Sequence, residues 1–453
     1  MSNQDPRPES ESAAFRLVRR IVDVRPGELG ALLLSALYYF LVLMAYYVIR
    51  PIRDQMGIAG GVDNLAWMFS GTLVGTLIAT SFFGALVAWL PRKRFIPITF
   101  RFLMLILGIF FVLLRVLPES QSVWVGRVFF IWVSVFNLFV VSIFWSFITD
   151  IFRNEQGRRM FAFIALGGTL GAVSGSSVTA FFVERLGPVN LLLVSIAILE
   201  AAVWCTRALS RHVREDAPEH LKLTVVAQSE ETIGGRFTDG IKHVTKSPYL
   251  LNICLFFLLF TFGSTFIYIQ QSRIIAATLS DAAAQTALFA RIDLAVNLTT
   301  VVLQAWLTAK LIRWLGVAWT LALLPAVSVI GFLAVGVSPV LAVVVVFYVL
   351  RRAGNFAVAR PTRELLYTVL PREDKYKAKN FIDTFVYRSG DQIGAWAERG
   401  LSALGLGVGG VALIAVPVSL GWLFNALWLG RRQDEKALDQ ASPPDGAPAT
   451  ATP

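Results

Sequence analysis

Residues 27–49 read GELGALLLSALYYFLVLMAYYVI, with one charge, Glu28, near the start. A bilayer core takes about 20 apolar residues of helix at about 1.5 Å each, so this run is long enough to cross it. Similar runs follow at 64–90, 95–117, 123–149, 160–183 and 189–209, then at 249–271, 284–309, 317–337, 339–370, 379–406 and 408–429. The 453 residues are 56% hydrophobic and 16% charged, with a mean hydropathy of +0.64. A soluble globular chain carries about 25% charged residues, so a water-facing surface is excluded, as are disorder, collagen and a disulfide scaffold. The expected fold is an all-α polytopic membrane protein of twelve spans.

The formal charge of +11 sits in alternate loops. One set carries Arg16, Arg19, Arg20 and Arg25; Arg92, Lys93 and Arg94; Arg153, Arg158 and Arg159; Lys310 and Arg313; Arg372, Lys375, Lys377 and Lys379; and Arg431 and Arg432. The other set carries Arg50, Arg53, Arg185 and Arg273. Positive charge stays on the cytoplasmic side, so both termini are expected there, in a multi-pass protein of a bacterial inner membrane. The charge therefore implies no nucleic-acid partner. No cleavable leader is read at the N-terminus.

The segments read as a cytoplasmic stretch at 1–26, a six-helix bundle at 27–208, a cytoplasmic linker at 209–248, a second six-helix bundle at 249–430 and a disordered tail at 431–453. From 209 to 247 there are six Lys/Arg and six Asp/Glu, and Phe237, Ile241 and Val244 recur at helical spacing. That pattern predicts an amphipathic helix on the membrane surface or against the bundle. Cys205 and Cys254 lie in apolar runs and form no CxxC; His212, His220 and His243 read as solvated loop histidines. No metal and no cofactor is called for.

Shifting the second half back by about 218–220 residues places Asn355 over Asn137, Ile382 over Ile164 and Arg273 over Arg53. Two six-helix bundles in parallel repeat are expected, the major-facilitator arrangement. The basic 90–97 stretch, LPRKRFIP, sits where that superfamily has its loop between spans 2 and 3. Arg92, Arg94 and Asp150 are thus a candidate cytoplasmic gate.

Charges within spans cost about 2.5–3.5 kcal/mol each at the centre, so they must face a wet cavity or one another. In span 10, Arg360, Arg363, Glu364 and Tyr367 share a face, Arg352 continues it and Asn355 lies beside it. Pro361 predicts a kink there. The alternative is a structural ion-pair network of Arg360, Arg363 and Glu364. In span 1, Ser35, Tyr39, Tyr46, Arg50 and Arg53 form a stripe followed by Asp54; the alternative is a pair of interfacial arginines. Span 11 aligns Asp383, Tyr387, Asp391 and Glu398 with Arg388 nearby, and span 8 aligns Asp293, Asn297 and Gln304 with Arg291 adjacent. These carboxylates read as partners of the arginines or as proton carriers. Span 5 carries Gly and Ser at three- and four-residue spacings, which close helix packing explains.

Walker A, HExxH and Ser/His/Asp arrangements are absent from the sequence, so no enzyme is read. Arginine pairs bidentately with phosphate or carboxylate at any working pH, and tyrosine offers a ring to stack on. The expected function is movement of an anion, plausibly phosphorylated, through an arginine-lined central cavity. The substrate-binding candidates are Arg50, Arg53, Tyr39, Tyr46, Arg352, Asn355, Arg360, Arg363, Tyr367 and Arg388. The ion-pair or coupling candidates are Asp54, Asp293, Glu364, Asp383 and Asp391. The partners are a small anion and the lipid bilayer, with the chain a monomer. A proton-coupled exporter or a lipid flippase is the alternative. A non-transporting sensor or scaffold would require arginines fully paired to Glu364, Asp383 and Asp391.

Three stretches resemble the ATP/ADP translocase family, nucleotide transporters that form a distant major-facilitator branch. They are YYVIRPIRDQM at 46–56, SFITDIFRNEQGRRMFAFIALGGTLGA at 146–172 and RPTRELLYTVLPREDKYKAKNFIDTFVYRSGDQIG at 360–394. The resemblance implies nucleotide exchange by alternating access. Arg53 and Arg363 match positions where the family typically has phosphate-holding lysines, and Asp54, Glu364 and Asp383 match acidic positions of the same motifs. Arginine keeps the charge but presents a planar fork instead of a point, so the implied cargo extends to other phosphorylated or organic anions.

Overall fold

The computed structural model describes residues 22–25, 28–89, 92–152, 154–215, 244, 247–370, 378–379 and 381–441. The first six helices are α1 Leu29–Ala59, α2 Leu65–Trp89, α3 Arg92–Val116, α4 Glu119–Ile151, α5 Asn154–Leu186 and α6 Leu191–Glu215. Then come α7 Pro248–Thr278, α8 Ala282–Trp306 and α9 Thr308–Val337. α10 comprises Leu341–Gly354, a π-helical turn at Asn355–Ala359 and a resumed helix at Arg360–Leu365. α11 is Tyr387–Ala403, preceded by a π-helical turn at Ile382–Val386, and α12 is Val408–Ala441.

Local chemistry sets several ends. Ser247 accepts from the Leu250 N–H with Pro248 in the first turn of α7, and Asp281 accepts from the Ala284 N–H at 2.7 Å to start α8; both are N-cap arrangements. Gly61, at φ 88°, reverses the chain between α1 and α2 at little steric cost.

Among the described residues, eleven helices are long and apolar enough to cross a membrane. The twelfth expected span is α11, whose sequence YRSGDQIGAWAERGLSA is too polar to count by composition. It turns Gly390, Asp391, Gly394 and Glu398 inward, as a bilayer demands of such a helix. Outward-facing Phe102, Leu105, Phe181, Ile330 and Val337 are exposed, which suits hydrocarbon.

Three expectations about segments change. α12 continues to Ala441, so the start of the segment expected to be a disordered tail is helical. Residues 431–441, RRQDEKALDQA, contain no helix breaker, and Arg432 pairs with Glu435 at 2.7 Å; prolines come only at 443 and 444. α6 likewise runs to Glu215 and includes His212. The charges Lys310 and Arg313, expected in a loop, lie in the first turns of α9, set off by Gly316 at φ 71°. Phe237, Ile241, His220 and His243 lie outside the described residues.

The chain forms two compact units, Met1–Ile52 with Ile78–Val125 and Trp132–Thr232, and Arg53–Leu77 with Gly126–Ile131 and Ile233–Pro453. The end of α1, the start of α2 and part of α4 thus belong with the second unit.

In the first unit α1 is held by α5 and α6. A Cβ on Gly171 would lie 2.1 Å from the Phe40 carbonyl oxygen, and one on Gly175 2.4 Å from that of Met44. Thr179 donates to the Val48 carbonyl, and Ser195 to that of Ala45, each at 3.0 Å. In the second unit α11 meets α7 in the same way: Cβ atoms on Gly390 and Gly394 would each come within 2.9 Å of a carbonyl oxygen, those of Leu258 and Phe262. Gly171 and Gly390 are 219 residues apart, as are Gly175 and Gly394. The repeat read in the sequence is therefore a repeat of packing, through small residues that let backbones approach where hydrophobic association is weak.

The break in α10 has a defined cause. Pro361 has no N–H for the Ala357 carbonyl four residues earlier. That carbonyl accepts from Thr308 Oγ1 at 2.8 Å, and the neighbouring Phe356 carbonyl accepts from Gln304 Nε2 at 3.3 Å. The α8–α9 corner thus supplies the missing donors, and the Arg360 N–H bonds to the Asn355 carbonyl across the wider turn.

Two outcomes follow. Gly171→Ala should destabilise the chain by about 1–3 kcal/mol through overpacking against a backbone that cannot yield. Gly108→Ala, at a site with no atom within 4 Å, should be neutral or better; thermal melts in detergent compare them. Thr308→Val should cost about 1–3 kcal/mol by leaving the Ala357 carbonyl without its donor, and Thr308→Ser should restore the midpoint.

Candidate functional site

The second unit concentrates arginine. Arg363, 6% exposed, lies over the Phe257 and Phe260 rings at 4.8 and 4.9 Å. Arg351, 4% exposed, donates to Ser328 Oγ at 3.0 Å, Ser264 Oγ at 2.7 Å and the Phe260 carbonyl at 2.9 Å. Its guanidinium lies 5.5 Å from the same Phe260 ring and 5.7 Å from that of Trp422. Arg388 approaches Asp391 at 3.5 Å, and Thr265 donates to Asp391 at 3.0 Å. Tyr387, its ring 6.0 Å from Phe260, is reached by the charges of Asp391, Arg363, Arg388 and Arg360, and Arg351 is within reach of Tyr387. Arg363, Arg388 and Arg360 thus lie within electrostatic range of the Tyr387 hydroxyl, as does the Asp391 carboxylate.

Arg352 points elsewhere. It pairs with Asp293 at 3.1 Å, donates to Tyr348 at 2.7 Å and lies over the Tyr348 and Phe356 rings. Glu364 pairs with Lys379, and Arg360 is exposed. Tyr367 is fully buried beneath Lys379, and Asn355 opens the π turn, half-buried. The Asp383 side chain lies outside those described.

The π turn explains which arginine faces Phe260. At about 100° per residue, an unbroken helix would put Arg352 within about 20° of Arg363 and Arg351 about 120° away. One residue accommodated in the wider turn reverses that order. Arg351 and Phe260 were not among the residues singled out by the sequence; Pro361 was the only hint.

A second ionic group joins the end of α1 and the start of α2 to α7 and α11, all within the second unit. Arg53 bonds to Asp54 at 2.9 Å through Nε and lies 4.7 Å over Phe130, while Tyr268 donates to Asp54 at 2.9 Å. Arg273 holds Glu398 at 2.7 Å and Asp63 at 2.8 Å. Ser70 donates to Gln392 at 2.8 Å, and Trp67 meets Trp396 edge-on at 4.8 Å. Arg53 and Arg273, aligned in the repeat, both serve this group.

In the first unit the aromatic stripe of α1 is buried. Ser35 donates to its own Ala31 carbonyl, and Tyr39 stacks on Phe144 at 4.1 Å and 12°, so one face of the ring expected to meet a substrate is covered. Tyr46 packs edge-on against Tyr47, and buried Arg50 lies 5.7 Å over Tyr47. Asp150 is exposed at the end of α4; the side chains of Arg92 and Arg94 lie outside those described. A further network there was not foreseen. Glu28 accepts from Gln156 at 2.9 Å and Arg159 at 3.2 Å, tying the start of α5 to α1. Burial pushes the Glu28 carboxyl up, but hydrogen bonds from Gln156, the Arg25 N–H and Arg159, with the Arg159 charge, hold it below its ordinary value. Among the described residues no three of His, Cys, Asp and Glu gather to hold a metal.

In this cluster Arg351 and Arg363 are buried with their guanidinium groups on aromatic rings, an arrangement chemically suited to an anion. No protein-family model matches the chain. ADP,ATP carrier protein 1 of Chlamydia trachomatis is 21% identical over 352 residues, 68% of this chain, and the match spans 65% of that relative's length. The protein of the same name from Chlamydia pneumoniae is 20% identical over 371 residues, 72% of each chain. Among solved structures, a point mutant of the nucleoside transporter NupG superposes with a TM-score of 0.64 at 12% identity, covering 88% of this chain and 99% of that one. A bacterial homologue of the iron transporter ferroportin, in an inward-facing state, gives 0.60 at 14% identity, with 89% and 97% covered. The chain has the major-facilitator-like fold and a distant homology to the ADP,ATP carrier proteins.

Proposed function

We propose that this protein is a membrane transporter that exchanges organic or phosphorylated anions, nucleotide-like in character, by alternating access through an arginine-lined cavity. The observation that carries this reading is the pair of buried guanidinium groups, Arg351 and Arg363, at 5.5 and 4.9 Å from the one Phe260 ring. Charged groups within a span are costly unless they meet opposite charge or a wet cavity, and an anionic cargo is a ligand that such guanidinium groups bind bidentately. The homology to ADP,ATP carrier proteins supports a nucleotide-like cargo.

Alternating access requires a closure that forms and breaks. The Arg273–Asp63–Glu398 and Arg53–Asp54–Tyr268 groups suit that role: short polar contacts join segments distant in sequence, and Asp63 is exposed enough to exchange its partner for water. The chain works as a monomer in the bacterial inner membrane with both termini cytoplasmic, an orientation supported by the loop charges.

Counterflow tests this reading. Liposomes bearing the protein and preloaded with ATP should accumulate labelled ADP, and Arg363→Ala should abolish the uptake. No uptake by folded protein would sink ATP/ADP exchange. A disulfide between Ser70→Cys and Gln392→Cys, with Cys205 and Cys254 replaced by serine, should stop uptake until a reductant restores it. Undiminished transport in the cross-linked protein would show that this contact does not open.

A further inference from the structure

Arg351 is a buried cation whose three bonds all go to neutral acceptors. Among the described residues it forms no ion pair. The fold makes room for it: a Cβ on Gly263 would lie 2.9 Å from its Nη2. The π turn carries it to the Phe260 ring that also bears Arg363, at 5.5 and 4.9 Å from the centroid. The two guanidinium carbons can be separated by no more than the sum of those distances.

At that range, and with the effective dielectric of a partly buried site, one charge alters the binding of another by about tenfold. Both guanidinium groups lie against the Phe260 ring. A ligand at Arg363 therefore feels Arg351 without touching it, and feels it more strongly with every added negative charge. Phe260 touches both, its carbonyl held by Arg351 and its ring 4.9 Å from the Arg363 guanidinium.

We propose that Arg351 is a positioning and charge-selecting residue: it anchors Phe260 beneath Arg363 and biases the site toward anions of higher charge, such as di- and triphosphates over monophosphates. This rests on reading the arginine cluster as an anion site. It assigns to a residue outside the expected binding face the discrimination between anions of one chemical kind.

The test uses the purified full-length protein in detergent, with thermal stability titrated by orthophosphate, pyrophosphate and tripolyphosphate. Wild type should bind more tightly as charge rises. Arg351→Gln should lose affinity by a factor that grows about tenfold with each added charge, and Arg351→Lys should restore most of the slope. A purely structural role would lower affinity for all three alike; that result, unchanged affinities, or no stabilisation of wild type by any of them would overturn the proposal. If Arg351→Gln does not fold, Ser264→Asp decides: it sets a carboxylate where Arg351 Nη1 now meets Ser264 Oγ at 2.7 Å, cancels the charge without removing the guanidinium, and should flatten the slope, whereas an unaltered slope overturns the proposal. Counterflow separates this from the exchange reading. Wild-type exchange with a charge-independent effect of Arg351→Gln overturns the role of Arg351 alone; charge-graded binding without counterflow overturns exchange alone.

Discussion

A carbonyl within a bilayer has no water to turn to, and Pro361 leaves the Ala357 carbonyl without its helical donor. Much of the arginine-rich face depends on how that carbonyl is satisfied. Thr308 supplies the donor from the α8–α9 corner and Gln304 steadies the adjacent Phe356 carbonyl. With both supplied from outside, α10 can take up one extra residue as a π turn without stranding a polar group. The turn then rotates the two halves of α10, bringing Arg351 to Phe260 and sending Arg352 to Asp293. A missing hydrogen fixes which of two neighbouring arginines lies beside Arg363.

Charge in the second unit is accordingly of two kinds. Where segments distant in sequence meet, Arg53 pairs with Asp54, which also accepts from Tyr268, and Arg273 pairs with both Asp63 and Glu398. On the Phe260 ring, Arg351 and Arg363 lie against aromatic faces, and Arg351 bonds only to neutral acceptors. Matched pairs partly buried in a low dielectric contribute little net stability but specify one geometry, which fits a contact that must open and reclose in one register. An excess of cations on aromatic faces is costly when empty and relieved when an anion arrives.

The fold was legible in the sequence because bilayer thickness imposes span length, and twelve runs met it. Span 11 was read at 379–406, and α11 at Tyr387–Ala403 lies within those bounds with Asp391 and Glu398 buried, although its composition is too polar to mark it as a span. The repeat was also legible, at Ile164 and Ile382, both wholly buried. What periodicity could not give was phase across a π turn. The ideal helix aligned Arg352 with Arg363, and the real one aligns Arg351. Nor did the pattern distinguish a stripe that faces a cavity from one that packs: Tyr39 lies on a good helical face, and Phe144 covers it. Extent was misjudged where no breaker occurs, as at 431–441.

The repeat also separates what the fold needs from what it only carries. At a shift of 218 or 219 residues the packing positions are kept, Gly171 with Gly390 and Gly175 with Gly394. The charged positions are not: Arg351, Arg352, Arg360 and Arg363 lie over Val133, Ser134, Ser142 and Trp145, while Arg388 and Asp391 lie over Thr169 and Ala172. α4 and α5 form the same helices as α10 and α11 with none of those charges. Packing therefore does not require them, and each costs about 2.5–3.5 kcal/mol at the centre of a span. A chain that keeps its packing residues in both halves and confines this cost to one is spending stability on chemistry. On the proposed reading that chemistry is anion binding, and it centres on the Phe260 ring that Arg351 and Arg363 share.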